Sequence, residues 1–143
     1  MSHLSFKSLL LGTAFGVATA TMAHAADVYP ADLAKQEPQI ARAFSDLAGN
    51  LKKKHAWVQK FGVTTPTEEI TLGSSTYVRM SGCKPHDCPT EKYVVLVSKS
   101  DHKAVGAFVV NRLDNGAIPT RSNIYWLGQP NEEQMTALAA ALF

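Results

Sequence analysis

The chain has 143 residues, with 14 Lys+Arg set against 12 Asp+Glu and only two cysteines. That near balance of charge excludes the basic surface with which a nucleic-acid binder displaces counterions, and it leaves little field for steering a partner from a distance. After Ala20 no stretch approaches the roughly 20 apolar residues that a membrane-spanning helix needs.

Residues 1–25 have the layout of a cleavable export leader. Lys7 follows a short polar start, residues 9–20 are mostly apolar, and Ala23-His24-Ala25 offers small side chains at the cleavage positions. The apolar run, about a dozen residues, is too short to span a bilayer. The mature chain is then expected to be one domain over 26–143, long enough to close a single core.

Pro38 suits a first helical position, and Ile40, Ala43, Phe44 and Leu47 follow at helical spacing, so the pattern predicts a helix that stops at Gly49-Asn50. Residues 30–35 add a preceding turn, broken at Glu37 because the residue before a proline avoids the helical region. Lys52-Lys53-Lys54-His55 is the one charge run and reads as a solvated connection, with a partner-facing basic rim as the other reading. Trp57, Val58 and Phe61 supply apolar anchors that pin the next segment to the core. Residues 62–67, with Pro66, read as loop.

From Glu69 onward the apolar period is two. Strands are predicted over 69–72, 76–80, 93–97, 104–110 and 123–127, and the short connections between them imply an antiparallel meander. A last helix follows. Asn131 can cap it, Gln134 stands three residues on, Glu132 and Glu133 lie in the positive first turn, and Met135, Leu138, Ala139 and Leu142 form its apolar stripe. The fold class is α+β: a five-stranded antiparallel sheet with flanking helices, packed on one face.

Between the second and third of these strands lies Cys83-Lys84-Pro85-His86-Asp87-Cys88, which holds both cysteines. An exported chain meets an oxidising compartment, so a disulfide between Cys83 and Cys88 is expected. Closing this ring removes roughly 2 kcal/mol of open-loop entropy, and Pro85 stiffens it further. Lys84, Pro85, His86 and Asp87 are then candidate binding residues on an exposed tip that enters another molecule's cleft at a small ordering cost. A bridge that only staples a hairpin is the plainer alternative.

Cys83, His86 and Cys88 are also competent metal ligands, but a typical zinc site takes two ligand pairs and only the scattered His55 and His102 remain, so no metal and no cofactor is expected. A redox role would favour C-x-x-C spacing. The side chains of the neighbouring pairs Glu68-Glu69 and Glu132-Glu133 diverge, and no nucleophile and base are grouped, so no enzyme is expected.

With Cys83-Lys84-Pro85-His86-Asp87-Cys88, Ala56-Trp57-Val58, Thr65-Pro66, Thr71-Leu72-Gly73, Thr76-Tyr77 and Tyr125-Trp126-Leu127, the chain resembles the Ivy family, the periplasmic inhibitors of vertebrate (C-type) lysozyme. The resemblance covers most of residues 40–128 and implies a central antiparallel sheet with flanking helices. It further implies a non-enzymatic periplasmic protein that shields peptidoglycan from host lysozyme. Its loop would enter the active-site cleft with His86 between the two catalytic carboxyl groups, Asp87 helping to hold the contact and Lys84 at the rim. Two other readings stay open, a regulator of the cell's own lytic transglycosylases and a small metal-binding module. Monomer and homodimer are both compatible with the sequence.

Overall fold

In the computed structural model, which describes residues 26–116 and 118–143, helical segments precede the sheet and one helix follows it. The expected leader, residues 1–25, lies outside the described residues. Helices α1 (Pro30–Gln36) and α2 (Pro38–Leu47) each begin on a proline, whose missing N–H is no loss in a first turn. Glu37 separates them at φ −125°, as the residue before Pro38 must.

Helix α2 ends at Leu47, just short of the expected stop at Gly49-Asn50, but no connection follows. After a turn at the buried Ala48 the chain resumes as α3 (Gly49–Lys54), so Lys52, Lys53 and Lys54 form the last turn of a short helix rather than a connection. Three cations at that end suit the negative pole of the helix dipole. The Trp57 segment is a 3-10 turn (Ala56–Lys60), ended by Phe61 in the left-handed region at φ 64°.

The sheet is antiparallel throughout and comprises β1 (Val63–Thr64), β2 (Glu68–Leu72), β3 (Ser75–Cys83), β4 (Glu91–Ser98), β5 (Ala104–Arg112) and β6 (Arg121–Leu127). β2 to β6 are the five predicted strands, in meander order. β1 is an addition within a stretch expected to be loop. It shares the outer edge of β3 with β2, pairing Val63 with Cys83 and Thr64 with Gly82, and so supports the end of β3 that β2 does not reach. The cysteine loop joins β3 to β4, the second and third of the predicted strands.

Helices were expected on one face of the sheet and lie on both. Ile40, Phe44 and Val58 pack with Val78, Met80, Tyr93, Val95, Val97 and Phe108 on one side. On the other, α4 (Glu132–Leu142) lays Leu138 and Leu142 on Val94, Leu96, Ala107 and Val109. The cause is in the central strands: residues 93–97 of β4 and 107–109 of β5 are buried at successive positions, so both faces are apolar and both need cover. α4 is fixed by the expected capping box between Asn131 and Gln134, and Gln134 also donates to the Tyr77 hydroxyl at 3.1 Å.

Candidate functional site: a disulfide-closed loop

Cys83 and Cys88 are joined, with their Cα atoms 4.8 Å apart. Inside the ring the Asp87 amide donates to the Lys84 carbonyl at 3.0 Å, closing a four-residue turn with Pro85 second and His86 third. His86 has φ 63°, so the arrangement is that of a type II turn, whose third position normally goes to Gly or Asn. A histidine there keeps a costly backbone angle. Pro85 and His86 are exposed, while Lys84 and Asp87 are half-buried on either flank. The Lys84 ammonium stands 3.0 Å from the Asp87 carboxylate, so these two candidates are spent on each other and the imidazole is left as the projecting group.

Both arms of the loop are held at the base. On the ascending arm a Cβ on Gly82 would lie 2.4 Å from the Phe61 carbonyl, and one on Gly62 would lie 2.3 Å from the Cys83 carbonyl. Two backbones therefore cross where only glycine fits, Gly62 at φ 69°. The Tyr93 hydroxyl donates to the Phe61 carbonyl at 3.0 Å, and burial pushes that phenol above its ordinary pKa. On the descending arm Thr90 donates its amide and hydroxyl to the Asp87 carbonyl, each at 3.1 Å. The buried Asn111 takes up the Pro89 carbonyl with its side chain and the Thr90 carbonyl with its amide, both at 2.7 Å, and accepts from Ser122.

Beneath the loop sits Glu91, the first residue of β4, its side chain only 15% exposed. Its Oε2 accepts from the Trp57 indole at 2.7 Å and lies 2.9 Å from His55 Nδ1. Its Oε1 is 3.6 Å from the Lys84 ammonium. Burial raises the Glu91 pKa, but the bonds from Trp57 and His55 and the neighbouring charges outweigh it and hold the carboxyl below its ordinary value. Thr90 and Lys84 lower Asp87 in the same way, and Asp87 and Glu91 together raise Lys84.

The candidates from Cys83 to Cys88 thus come together in one closed turn, while His55, counted in the charge run, turns inward to Glu91. Glu91, Thr90 and Asn111 escaped the sequence reading. Trp57 was read only as an apolar anchor, although an indole N–H in a part-buried place needs an acceptor and so announces one.

Fold and loop define a small α+β domain built around a preorganised, disulfide-closed loop. The chain belongs to the inhibitor of vertebrate lysozyme (Ivy) family, whose model matches residues 39–142. Among its relatives, the inhibitors of vertebrate lysozyme from Escherichia coli K12 and Escherichia coli O157:H7 are each 38% identical over 105 residues, or 73% of this chain. The match spans 65% of the length of those two proteins. An uncharacterised protein of Yersinia pestis is 33% identical over 115 residues, 75% of this chain and 72% of its own length.

Proposed function

We propose that this chain is an exported, non-enzymatic inhibitor of a C-type lysozyme and that the loop from Cys83 to Cys88 is the part that enters the enzyme. The observation that carries the reading is the exposed His86 at the tip of a turn closed by the disulfide, the Lys84–Asp87 pair and an internal hydrogen bond. Family membership and the names of the Escherichia coli relatives support lysozyme as the target.

The chemistry matches. A lysozyme cleft pairs a protonated general acid, kept neutral by its apolar surroundings, with an ionised second carboxylate. A neutral imidazole has one N–H to donate and one ring nitrogen to accept, so His86 can satisfy both groups at once and exclude the sugar and the attacking water. Little loop entropy remains to be lost on binding, because the turn is already ordered. A metal-binding role would need the two thiolates that the disulfide consumes.

The test is inhibition of peptidoglycan hydrolysis by lysozyme, titrated at several concentrations of a soluble N-acetylglucosamine oligomer that fills the same cleft. The apparent inhibition constant should rise in proportion to the oligomer. An inhibition constant that ignores the oligomer puts the contact outside the cleft, and tighter inhibition of a lytic transglycosylase run in parallel moves the target to the cell's own enzymes.

A further inference from the structure

A carboxylate drawn largely out of water, as the half-buried Glu91 is, costs stability unless its partners compensate it. For Glu91, the Trp57 indole offers Oε2 a single N–H that a neutral amide oxygen would serve as well, and His55 Nδ1 stands on the same oxygen. The other oxygen serves the loop: the Lys84 ammonium lies between Glu91 Oε1 at 3.6 Å and Asp87 Oδ2 at 3.0 Å. Glu91 holds the same lysine by the main chain as well, because its carbonyl accepts the Lys84 amide at 3.0 Å. Lys84 in turn grips Asp87 twice, by its ammonium and by its carbonyl, and Asp87 is the residue that closes the turn after His86.

We propose that Glu91 is a positioning residue for the inhibitory loop: it touches no partner, and acts through Lys84 and Asp87 to hold the turn in which His86 is presented. Trp57 and His55 anchor the carboxylate to the 3-10 turn and the end of α3, so the loop is registered against the helical layer as well as against its own hairpin. The disulfide closes the ring from 83 to 88, and the Glu91 clamp closes a second one from 84 to 91. This rests on the loop being the inhibitory element, and the test below separates the two ideas.

Glu91→Gln is the informative change. Its amide oxygen can still accept from Trp57 and His55, but then its NH2 faces the Lys84 ammonium, donor against donor, so the link to the loop is broken while the acceptor for the helical layer is kept. In the free protein, backbone 15N order parameters of Lys84 and of residues 86–88 should fall from about 0.85 toward about 0.6, while those of β4 and β5 stay as they were. If the competent turn is populated about a tenth of the time, inhibition weakens about tenfold by the same fraction. In a His86→Ala background the Glu91 change should add less than about twofold, since residues that act as one unit are not additive. Lys84→Met should reproduce the loss of order and Lys84→Arg, which can reach both carboxylates, should restore it. Unchanged order parameters at Lys84 and residues 86–88 in Glu91→Gln overturn the positioning role whether or not the protein inhibits lysozyme. A uniform loss of order across the sheet overturns it too, because Glu91 would then be a general stabiliser. Loss of loop order with no change in inhibition leaves the clamp standing and removes the loop from the inhibitory contact.

Discussion

His86 sits at a backbone angle, φ 63°, that costs most side chains about 1–2 kcal/mol, though histidine is among the residues found there more often. No core contact explains the choice, because the ring is exposed. His102, also exposed, holds φ 56° in the turn between β4 and β5, so what sets His86 apart is its place in the disulfide-closed turn and not the angle alone. His86→Gly should therefore separate stability from function. Relief of the angle and the extra freedom of glycine in the unfolded chain oppose each other, so the unfolding free energy in urea should move by less than about 1 kcal/mol. Inhibition should be lost all the same, since the imidazole has gone. A drop of several kcal/mol would mean that the ring is structural. The residue itself was legible in the sequence, between two cysteines and after a proline. Its angle was not, because Pro85 and the closing bond from the Asp87 amide to the Lys84 carbonyl suit a type I turn, with negative φ at the third position, as well as the type II turn found here.

At the scale of the element, the loop is a hairpin connection held by groups that the sequence keeps far away. Asn111 reaches Pro89 across 22 residues, and Trp57 and His55 reach Glu91 across 34 and 36. Such pins have no local period, which is why the tip could be read and its base could not. β1 escaped for a related reason: two residues carry no alternation, and the pairing exists because β3 continues to Cys83 beyond the reach of β2. The pins also bound what the disulfide contributes. Opening it frees about six residues, worth at most roughly 2 kcal/mol or 30-fold in affinity. With Asn111, Glu91 and the Gly62–Gly82 crossing still in place, a Cys83→Ser/Cys88→Ser variant should keep its circular dichroism spectrum and inhibit about 3- to 30-fold less well. A folded variant as potent as the parent would reduce the bridge to a staple.

For the whole molecule, period-two patterning recovers the sheet order but implies a single buried face, whereas β4 and β5 carry continuous apolar runs that bury both faces and so call for the second helical layer. The charge arrangement has a consequence at this scale. Glu91 and Asp87 lie below their ordinary values of 4.5 and 3.8, and Asp101, beside Lys103 and Ser98, lies at about 2. A carboxylate depressed in the fold adds stability that is complete above its unfolded pKa and is lost as pH falls through the folded one. Stability to urea should be level from pH 7 to about 5 and then decline between about 4.5 and 2. Tyr93 has the opposite sign: raised by burial, it should cost stability as pH climbs past 10.0, its ordinary value. Glu91→Gln should flatten the acid limb, and an acid limb that stays as steep would mean that Glu91 does not titrate with folding.

The measurement that bears most directly on the molecule as an inhibitor is the lysozyme inhibition constant of His86→Ala beside those of Lys53→Ala and Lys54→Ala. A group desolvated inside a cleft is worth at least about 2 kcal/mol, so losing the imidazole should raise the constant about 30-fold or more. Lys53 and Lys54 are exposed on α3, and screened surface charges there should change it by no more than about fivefold. Equal losses from the histidine and the lysines, or full inhibition by His86→Ala, would contradict the loop as the inhibitory contact.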